Sequence, residues 1–216
     1  GVVYGTPYVD ANDSDITQLN AERVNVNIKV YFNGVDSFLL KGPYAEIKDF
    51  DVPAVAPAVC IGVPNFNFTR KQDGFEDVNA YYHIHIFQQH LQNLGFNNLV
   101  NYAIWVDAHA MNGVDNSKFV SGATPPRLYY GEGGVDDAED ADVVIHEYGH
   151  AISNSATPGT NSGYERQALD EANSERFAAI LEKLAHATQF IVITHTRATM
   201  ERASILYGVT MGEDGV

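Results

Sequence analysis

Alternation of apolar and polar residues marks the first regular element of the chain. From Val24 to Phe32 every second side chain is apolar and most of the others are polar, which predicts a strand with one buried face. Asn33-Gly34 then predicts a hairpin turn into Phe38-Leu39-Leu40. The first twenty residues are polar and predict a loosely ordered segment. We therefore expect an antiparallel sheet early in the chain.

The pattern becomes helical between Phe75 and Leu94. Val78, Tyr82 and Ile86 recur every four residues there, and Gly95 supplies a stop. These positions predict one long helix.

The middle of the chain returns to short elements. Residues 99–106 predict a strand, residues 112–126 a loop rich in Gly, Asn, Ser and Pro, and residues 127–130 a short edge strand. An acidic run, 136–142, leads into a second helix, whose first turn suits acidic side chains because of the helix dipole. Residues 153–163 predict another loop.

Residues 168–216 have a different character. Ala168–His186 predicts a helix, Gln189–Thr194 a buried strand and Thr196–Leu206 a helix. Taken together, the chain predicts the α+β class, with a β-rich part at 1–70, a second part at 71–167 and a short α/β tail at 168–216.

Composition narrows the function classes. The chain has 216 residues, of which 45% are hydrophobic and 11% aromatic, typical of a soluble globular protein. No run has the length of a membrane span, and no leader sequence opens the chain at Gly1, so no membrane partner is expected. The formal net charge of −15 repels phosphate backbones and disfavours nucleic-acid binding. Cys60, the one cysteine, excludes a disulfide framework and is interpreted as a buried thiol.

The segment His146-Glu147-Tyr148-Gly149-His150 spells H-E-x-x-H. Residues four apart share one face of a helix, so both imidazoles can reach one zinc ion. Glu147 projects from an adjacent angle and can act as a general base on water. Chance gives the pattern in roughly one or two chains per hundred of this composition, so the surrounding sequence has to decide.

A catalytic zinc site usually has three protein ligands. Glu171, 21 residues beyond His150, fits the third place near the start of the next predicted helix. Glu175 lies on the same helix face and could accept a hydrogen bond from a ligand imidazole. The alternative for Glu171 is a solvated helix acid.

The H-E-x-x-H segment followed by Glu171 resembles the gluzincin metallopeptidases of the thermolysin and fungalysin type. The resemblance covers about residues 70–171. It includes Asp77–His83, which resembles the long helix before the catalytic segment, and Val106–Ala110, which resembles the strand and turn that line the substrate cleft. Tyr130-Gly131-Glu132-Gly133 and Asp142-Val143-Val144 resemble elements that precede the zinc ligands.

The resemblance implies a secreted zinc metalloendopeptidase with a peptide or protein substrate. Glu147 would take a proton from the attacking water and pass it to the leaving amine. The substrate would pair with backbone near Ala108–Ala110 as with an edge strand. The implied substrate-binding residues are Asp107, Ala108, His109, Ala110 and Tyr130. Since the family usually has Asn where Asp107 stands, a side-chain contact there is in question.

Two further clusters leave alternatives open. Relatives bind calcium, and Asp142 fits a calcium ligand as well as it fits a solvated acid; for Asp136, Asp137 and Asp140 we prefer the solvated loop.

His83, His85 and His90 are interpreted as partly buried polar residues. His83 and His85 point to different faces of a helix, so they do not suit one metal.

The tail resembles another family. Ala168–Phe177, Gln189–His195 and Leu206–Met211 resemble the end of the ATPase head of structural-maintenance-of-chromosomes proteins, over about 49 residues. No phosphate loop of the form G-x-x-x-x-G-K-[ST] occurs in the chain, so the tail is not expected to hydrolyse ATP alone. This predicts a chimera, and the alternative is a convergent helix–strand–helix pattern.

The tail also stands where such peptidases carry a helical lobe. That lobe supplies a histidine or tyrosine that stabilises the oxyanion, and nothing indicates that His195 replaces it. We therefore predict zinc-dependent peptide hydrolysis. A zinc-binding but catalytically impaired chimera and an ATPase-head fragment acting as an interaction module are the alternatives. Oligomeric state and cleavage preference stay open.

Overall fold

The computed structural model describes residues 1–4, 20–156 and 158. The chain divides into two compact units, Gly1–Pro158 and Gly159–Val216, and all the described residues belong to the first. The elements predicted for 168–206 lie outside the described residues. Helices and sheets combine in the described part, which confirms the α+β class.

The strands of the described residues form three sheets. In the first, β1 (Val2–Tyr4) pairs antiparallel with β2 (Arg23–Asn25). The second is antiparallel in the order β3-β4-β6 and contains Tyr31–Phe32, Ser37–Leu39 and Val59–Ile61. The third is mixed, in the order β5-β7-β9-β8, and contains Ala45–Ile47 (β5), Ile104–Ala110 (β7), Lys118–Val120 (β8) and Arg127–Gly131 (β9). Within it β5 and β9 run parallel to β7, and β8 runs antiparallel to β9.

The predicted hairpin is confirmed, but the long strand before it is wrong. Strand structure in the predicted range is limited to β2 and β3, which belong to different sheets, so the chain between them crosses from one sheet to the next. At the turn, Gly34 has a φ of +84°. The side-chain oxygen of Asn33 accepts the backbone N–H groups of Val35, Asp36 and Ser37 at 2.9–3.0 Å, which fixes the turn.

Two helices carry most of the described functional positions. Helix α1, Gly74–Asn93, confirms the predicted long helix, and Gly95 after it has a φ of +96°, as a C-terminal stop requires. Helix α2, Ala141–Ala156, carries the H-E-x-x-H segment and continues into residues that were expected to be loop. Neither described helix has the length and apolar character needed to cross a bilayer.

The mixed sheet differs from the sequence prediction in three places. Strand β7 begins at Ile104 rather than at position 99, and β8 lies inside the segment predicted as loop. Strand β9 is flanked by β7 and β8, so it is an interior strand and not the predicted edge. The edge next to it is β8.

Both helices pack against the mixed sheet over one hydrophobic core. Its central side chains are at most 1% exposed and include Tyr81, Ile84, Ile104, Val106, Leu128, Tyr130, Val144 and Tyr148. Polar bonds cross this core as well. The Tyr148 hydroxyl donates to Gln88 at 2.8 Å, and the Asn79 amide donates to the carbonyls of Ala138 and Glu139 at 2.9 Å. These bonds fix α2 and the segment before it against α1.

Candidate metal centre

The two histidines of α2 face each other across one turn. The Nε2 atoms of His146 and His150 are 3.2 Å apart, and their rings are perpendicular with centroids 4.8 Å apart. His146 is exposed, so the pair is open to solvent. With Glu147, the ligand atoms of all three residues lie within 4.8 Å of one another.

This geometry fits a tetrahedral zinc ion. Zinc–nitrogen bonds of about 2.0–2.1 Å at a tetrahedral angle separate two ligand nitrogens by about 3.4 Å. The observed 3.2 Å is close to that spacing. The predicted ligands His146 and His150 are thus brought together by the structure in an arrangement that suits the metal.

Glu147 lies beneath the histidines and is 7% exposed. The pKa of Glu147 is raised to about 7, chiefly by burial and to a lesser extent by the negative charge of Asp137, against the opposite effect of the Phe119 backbone N–H. A general base works best with a pKa near the working pH. A buried carboxyl group with a raised pKa thus lies in the same helical turn as the histidine pair.

Two predicted site residues, Glu171 and Glu175, lie outside the described residues, and so does His195. The described part of the chain accordingly supplies two of the three expected zinc ligands.

The prediction that a peptide substrate pairs with residues 108–110 is wrong, because these residues lie in β7, which is an interior strand of the sheet. Asp107, Ala108 and Ala110 are each at most 2% exposed. The Asp107 carboxylate accepts the backbone N–H groups of Phe50 and Asp51 at 2.9 and 3.0 Å. These contacts tie β7 to a neighbouring segment, and its backbone is not open to a peptide.

His109 and Tyr130 are also committed to internal contacts. His109 is 3% exposed, with Nδ1 2.7 Å from the Glu132 carboxylate and Nε2 2.9 Å from the Asp73 carbonyl. Tyr130 is fully buried, and its hydroxyl donates to the Val144 carbonyl in α2 at 3.1 Å. Both side chains are held by contacts inside the fold, and the prediction that they bind substrate is corrected.

The open edge beside Glu147 belongs to β8, which the sequence prediction missed. Within the described residues β8 has one strand neighbour, β9, and it packs against α2. Phe119, at its centre, directs its N–H at the Glu147 carboxyl. Ser117, next to β8, donates to Asp137 at 2.6 Å. A signal existed in Phe119-Val120, but three residues are too few for a reliable strand pattern.

Two glycines explain how the loop before β8 fits against β9. A Cβ atom on Gly131 would lie 1.9 Å from the Val114 carbonyl oxygen, and one on Gly133 would lie 2.2 Å from the Asp115 nitrogen. Only glycine permits backbone segments to approach this closely. The glycines of the Tyr-Gly-Glu-Gly element thus allow the loop before β8 to lie against the end of β9.

The remaining predicted positions do not converge with the histidine pair. Asp142 is half-buried and donates its N–H to Asp140 at 2.7 Å, and it belongs to neither group of converging metal-binding side chains among the described residues. Its calcium role stays a prediction.

His83 and His85 are buried, as their interpretation expects, whereas His90 is exposed and departs from it. Cys60 is 8% exposed and donates its thiol to the Asn65 carbonyl at 3.1 Å. Burial raises the pKa of the Cys60 thiol, so it is the buried thiol that was expected.

Comparison with known proteins supports one of the two resemblances. No family model matches the chain. The chromosome partition protein Smc of Bacillus subtilis is 65% identical over 49 residues, which is 23% of this chain and 4% of that protein. Part of this chain is similar to Smc. The Smc proteins of Desulfitobacterium hafniense and Mycobacterium tuberculosis are 54% and 49% identical over 48 and 49 residues, again 4% of each.

The chain therefore spans about 4% of the length of the Smc proteins it matches. The matched length is that of the tail 168–216, which was predicted to resemble this family and lies outside the described residues. The metallopeptidase resemblance draws no support from these comparisons.

Proposed function

We propose that the chain is a zinc-dependent peptide hydrolase. The observation that carries the proposal is the juxtaposition of two histidine Nε2 atoms, 3.2 Å apart, with the buried carboxyl of Glu147 and the open edge of β8. A base, a metal-binding pair and an edge for an extended chain are the three parts that metal-assisted peptide hydrolysis needs.

His146 and His150 would hold the zinc ion, with Glu171 as the proposed third ligand. When bound, zinc acts as a Lewis acid that polarises a carbonyl oxygen and lowers the pKa of water. The chain's own residues do the rest. Glu147 takes the proton from the attacking water and delivers it to the leaving amine.

The substrate would add to the sheet alongside β8. An extended peptide pairs with the free backbone groups of an edge strand, and the backbone bonds hold it without regard to its side chains. Because the Phe119 N–H already points to Glu147, this edge would set the distance between the scissile bond and the base. The edge strand would therefore position the peptide, and Glu147 would act on the bond placed next to it.

Replacing Phe119 by proline tests this arrangement. Proline removes the N–H that contacts Glu147, while the backbone pairing of β8 with β9 uses the neighbouring residues. We expect cleavage of an unstructured peptide to fall about tenfold or more, since a hydrogen bond to a charged group contributes about 1.5–3 kcal/mol. Phe119→Ala is the matched control, because it removes the side chain and keeps the N–H. Equal activity in Phe119→Pro and Phe119→Ala would show that the hydrogen bond does not matter.

The similarity to Smc supports a second candidate function. A segment 65% identical to a chromosome partition protein over 49 residues could act as an interaction module, joined to a zinc-binding region that cleaves slowly or not at all. ATP binding by the full chain, measured by equilibrium dialysis, would support this candidate. Glu147-dependent peptide cleavage would support the first.

A further inference from the structure

A second group of acidic side chains converges away from the histidines. Glu76, Asp136 and Glu139 each offer a carboxylate oxygen, and these atoms lie within 4.8 Å of one another. Glu76 lies in the first turn of α1, Asp136 precedes the short 3-10 helix Asp137–Glu139 that comes before α2, and Glu139 is the last residue of that 3-10 helix. The group therefore joins the start of one helix to the approach of the other.

Two oxygens of this acidic group lack a hydrogen-bond donor. Glu76 and Glu139 are each 3% exposed. Arg70 donates its Nε–H to Oε2 of Glu139 and pairs with it. Oε1 of Glu139 and Oε2 of Glu76 are buried without a donor. Buried carboxylates are costly unless they are paired, protonated or bound to a metal.

Space and charge at the acidic group suit a divalent cation. A cavity of about 330 Å³ adjoins it and is lined by Glu76 and Asp136. When all three carboxylates are ionised, they leave two negative charges against the guanidinium of Arg70, and burial opposes that ionisation by raising the pKa of Glu76 and Glu139. A divalent cation would balance them, and the cavity has room for water ligands.

We propose that Glu76, Asp136 and Glu139 bind a calcium ion. Calcium takes about six to eight oxygen ligands, accepts carboxylates in one- or two-oxygen contact and tolerates irregular geometry. Magnesium demands a nearly ideal octahedron, and zinc prefers nitrogen or sulfur ligands. The donors here are all oxygen, and they come from separate parts of the chain.

The ion would connect α1 to the segment that leads into helix α2. Asn79 already makes this connection through its amide bonds to Ala138 and Glu139. A cation bound at Glu76 would add a stronger cross-link about one turn of α1 before Asn79. Because it binds the folded chain alone, it stabilises the fold by mass action.

The test is calcium titration of the zinc-loaded full chain, by calorimetry and by thermal unfolding. At a calcium concentration about a hundredfold above the Kd, we expect the Tm to rise by about 5 °C or more. Glu76→Gln and Asp136→Asn should weaken calcium binding at least about tenfold and abolish the rise. The amide introduced by Glu76→Gln can donate to Glu139, and Asp136 is not fully buried, so both variants are expected to fold.

Glu46→Gln is the matched control. It removes an acid that pairs with Lys41 and Lys48 outside the acidic group, so calcium binding should match that of the parent. The proposal fails if the parent binds no calcium, if magnesium binds as tightly, or if Glu46→Gln loses binding as strongly as Glu76→Gln. It also fails if acidification stabilises the parent and calcium does not, because a proton shared by Glu76 and Glu139 would then occupy the place of the ion. Zinc content should be the same in all variants, which separates this site from the histidine pair.

Discussion

Glu147→Gln is expected to abolish cleavage of an unstructured peptide and to leave zinc content unchanged. The glutamine side chain has the size of glutamate but cannot accept a proton. General base catalysis contributes about 10²–10⁴-fold to the rate, so kcat should fall by that factor. Glu147 is 7% exposed, and its replacement by a neutral side chain removes a buried acid whose pKa is raised to about 7. The variant should therefore fold at least as well as the parent.

Peptide cleavage and zinc content have to be measured on the same preparations. Glu46→Gln is a matched control, since Glu46 pairs with Lys41 and Lys48 near the surface, on a strand remote from the histidines in the sheet order. It should cleave at the parental rate. Parental activity in Glu147→Gln would eliminate Glu147 as the base.

His150→Ala is expected to remove most of the zinc from the purified chain. The Nε2 atoms of His146 and His150 are the two proposed zinc ligands among the described residues. Loss of a residue that hydrogen-bonds to a metal ligand lowers metal affinity about 10–100-fold. Loss of a ligand itself should lower the affinity by at least the upper end of that range. Zinc per chain is measured by elemental analysis after dialysis against metal-free buffer.

His90→Ala is the control for His150→Ala. His90 is an exposed histidine near the end of α1 and outside both groups of converging ligands. Its removal should leave zinc content at the parental value. Equal zinc in His150→Ala and the parent would mean that the metal is bound elsewhere in the chain.

The helical part of the site follows from local sequence. The period of α1 and the i, i+4 spacing of His146 and His150 are set by residues within one or two turns of each other. Asn33-Gly34 predicts its hairpin for the same reason, since the turn depends on a few adjacent residues. The structure has all three features.

The sheet part of the site does not follow from local sequence. Strand β8 has three residues, and its edge position depends on pairing with β9 and packing on α2. Asp107 lies in β7, and its carboxylate accepts N–H groups from Phe50 and Asp51, more than fifty positions earlier. Sequence spacing does not reveal such contacts. For that reason the sequence prediction placed the peptide-pairing strand at residues 108–110 of β7, whereas among the described residues β8 is the edge strand next to Glu147.

The acidic group of Glu76, Asp136 and Glu139 does not follow from local sequence either. The first of these residues belongs to α1 and the others to the approach of α2, and only the packing of α1 against that segment brings them together. The acidic run 136–142 signals charge, but it does not tell which of its members face inward.

The central claim is that the chain binds zinc and uses it to cleave peptides. The direct measurement is zinc content of the purified full chain, followed by cleavage of an unstructured peptide before and after treatment with a chelator. The account predicts about one zinc per chain, cleavage by the untreated protein, loss of cleavage with the chelator and its return when zinc is added. A chain that holds no zinc, or a zinc-loaded chain that leaves the peptide intact, would contradict it.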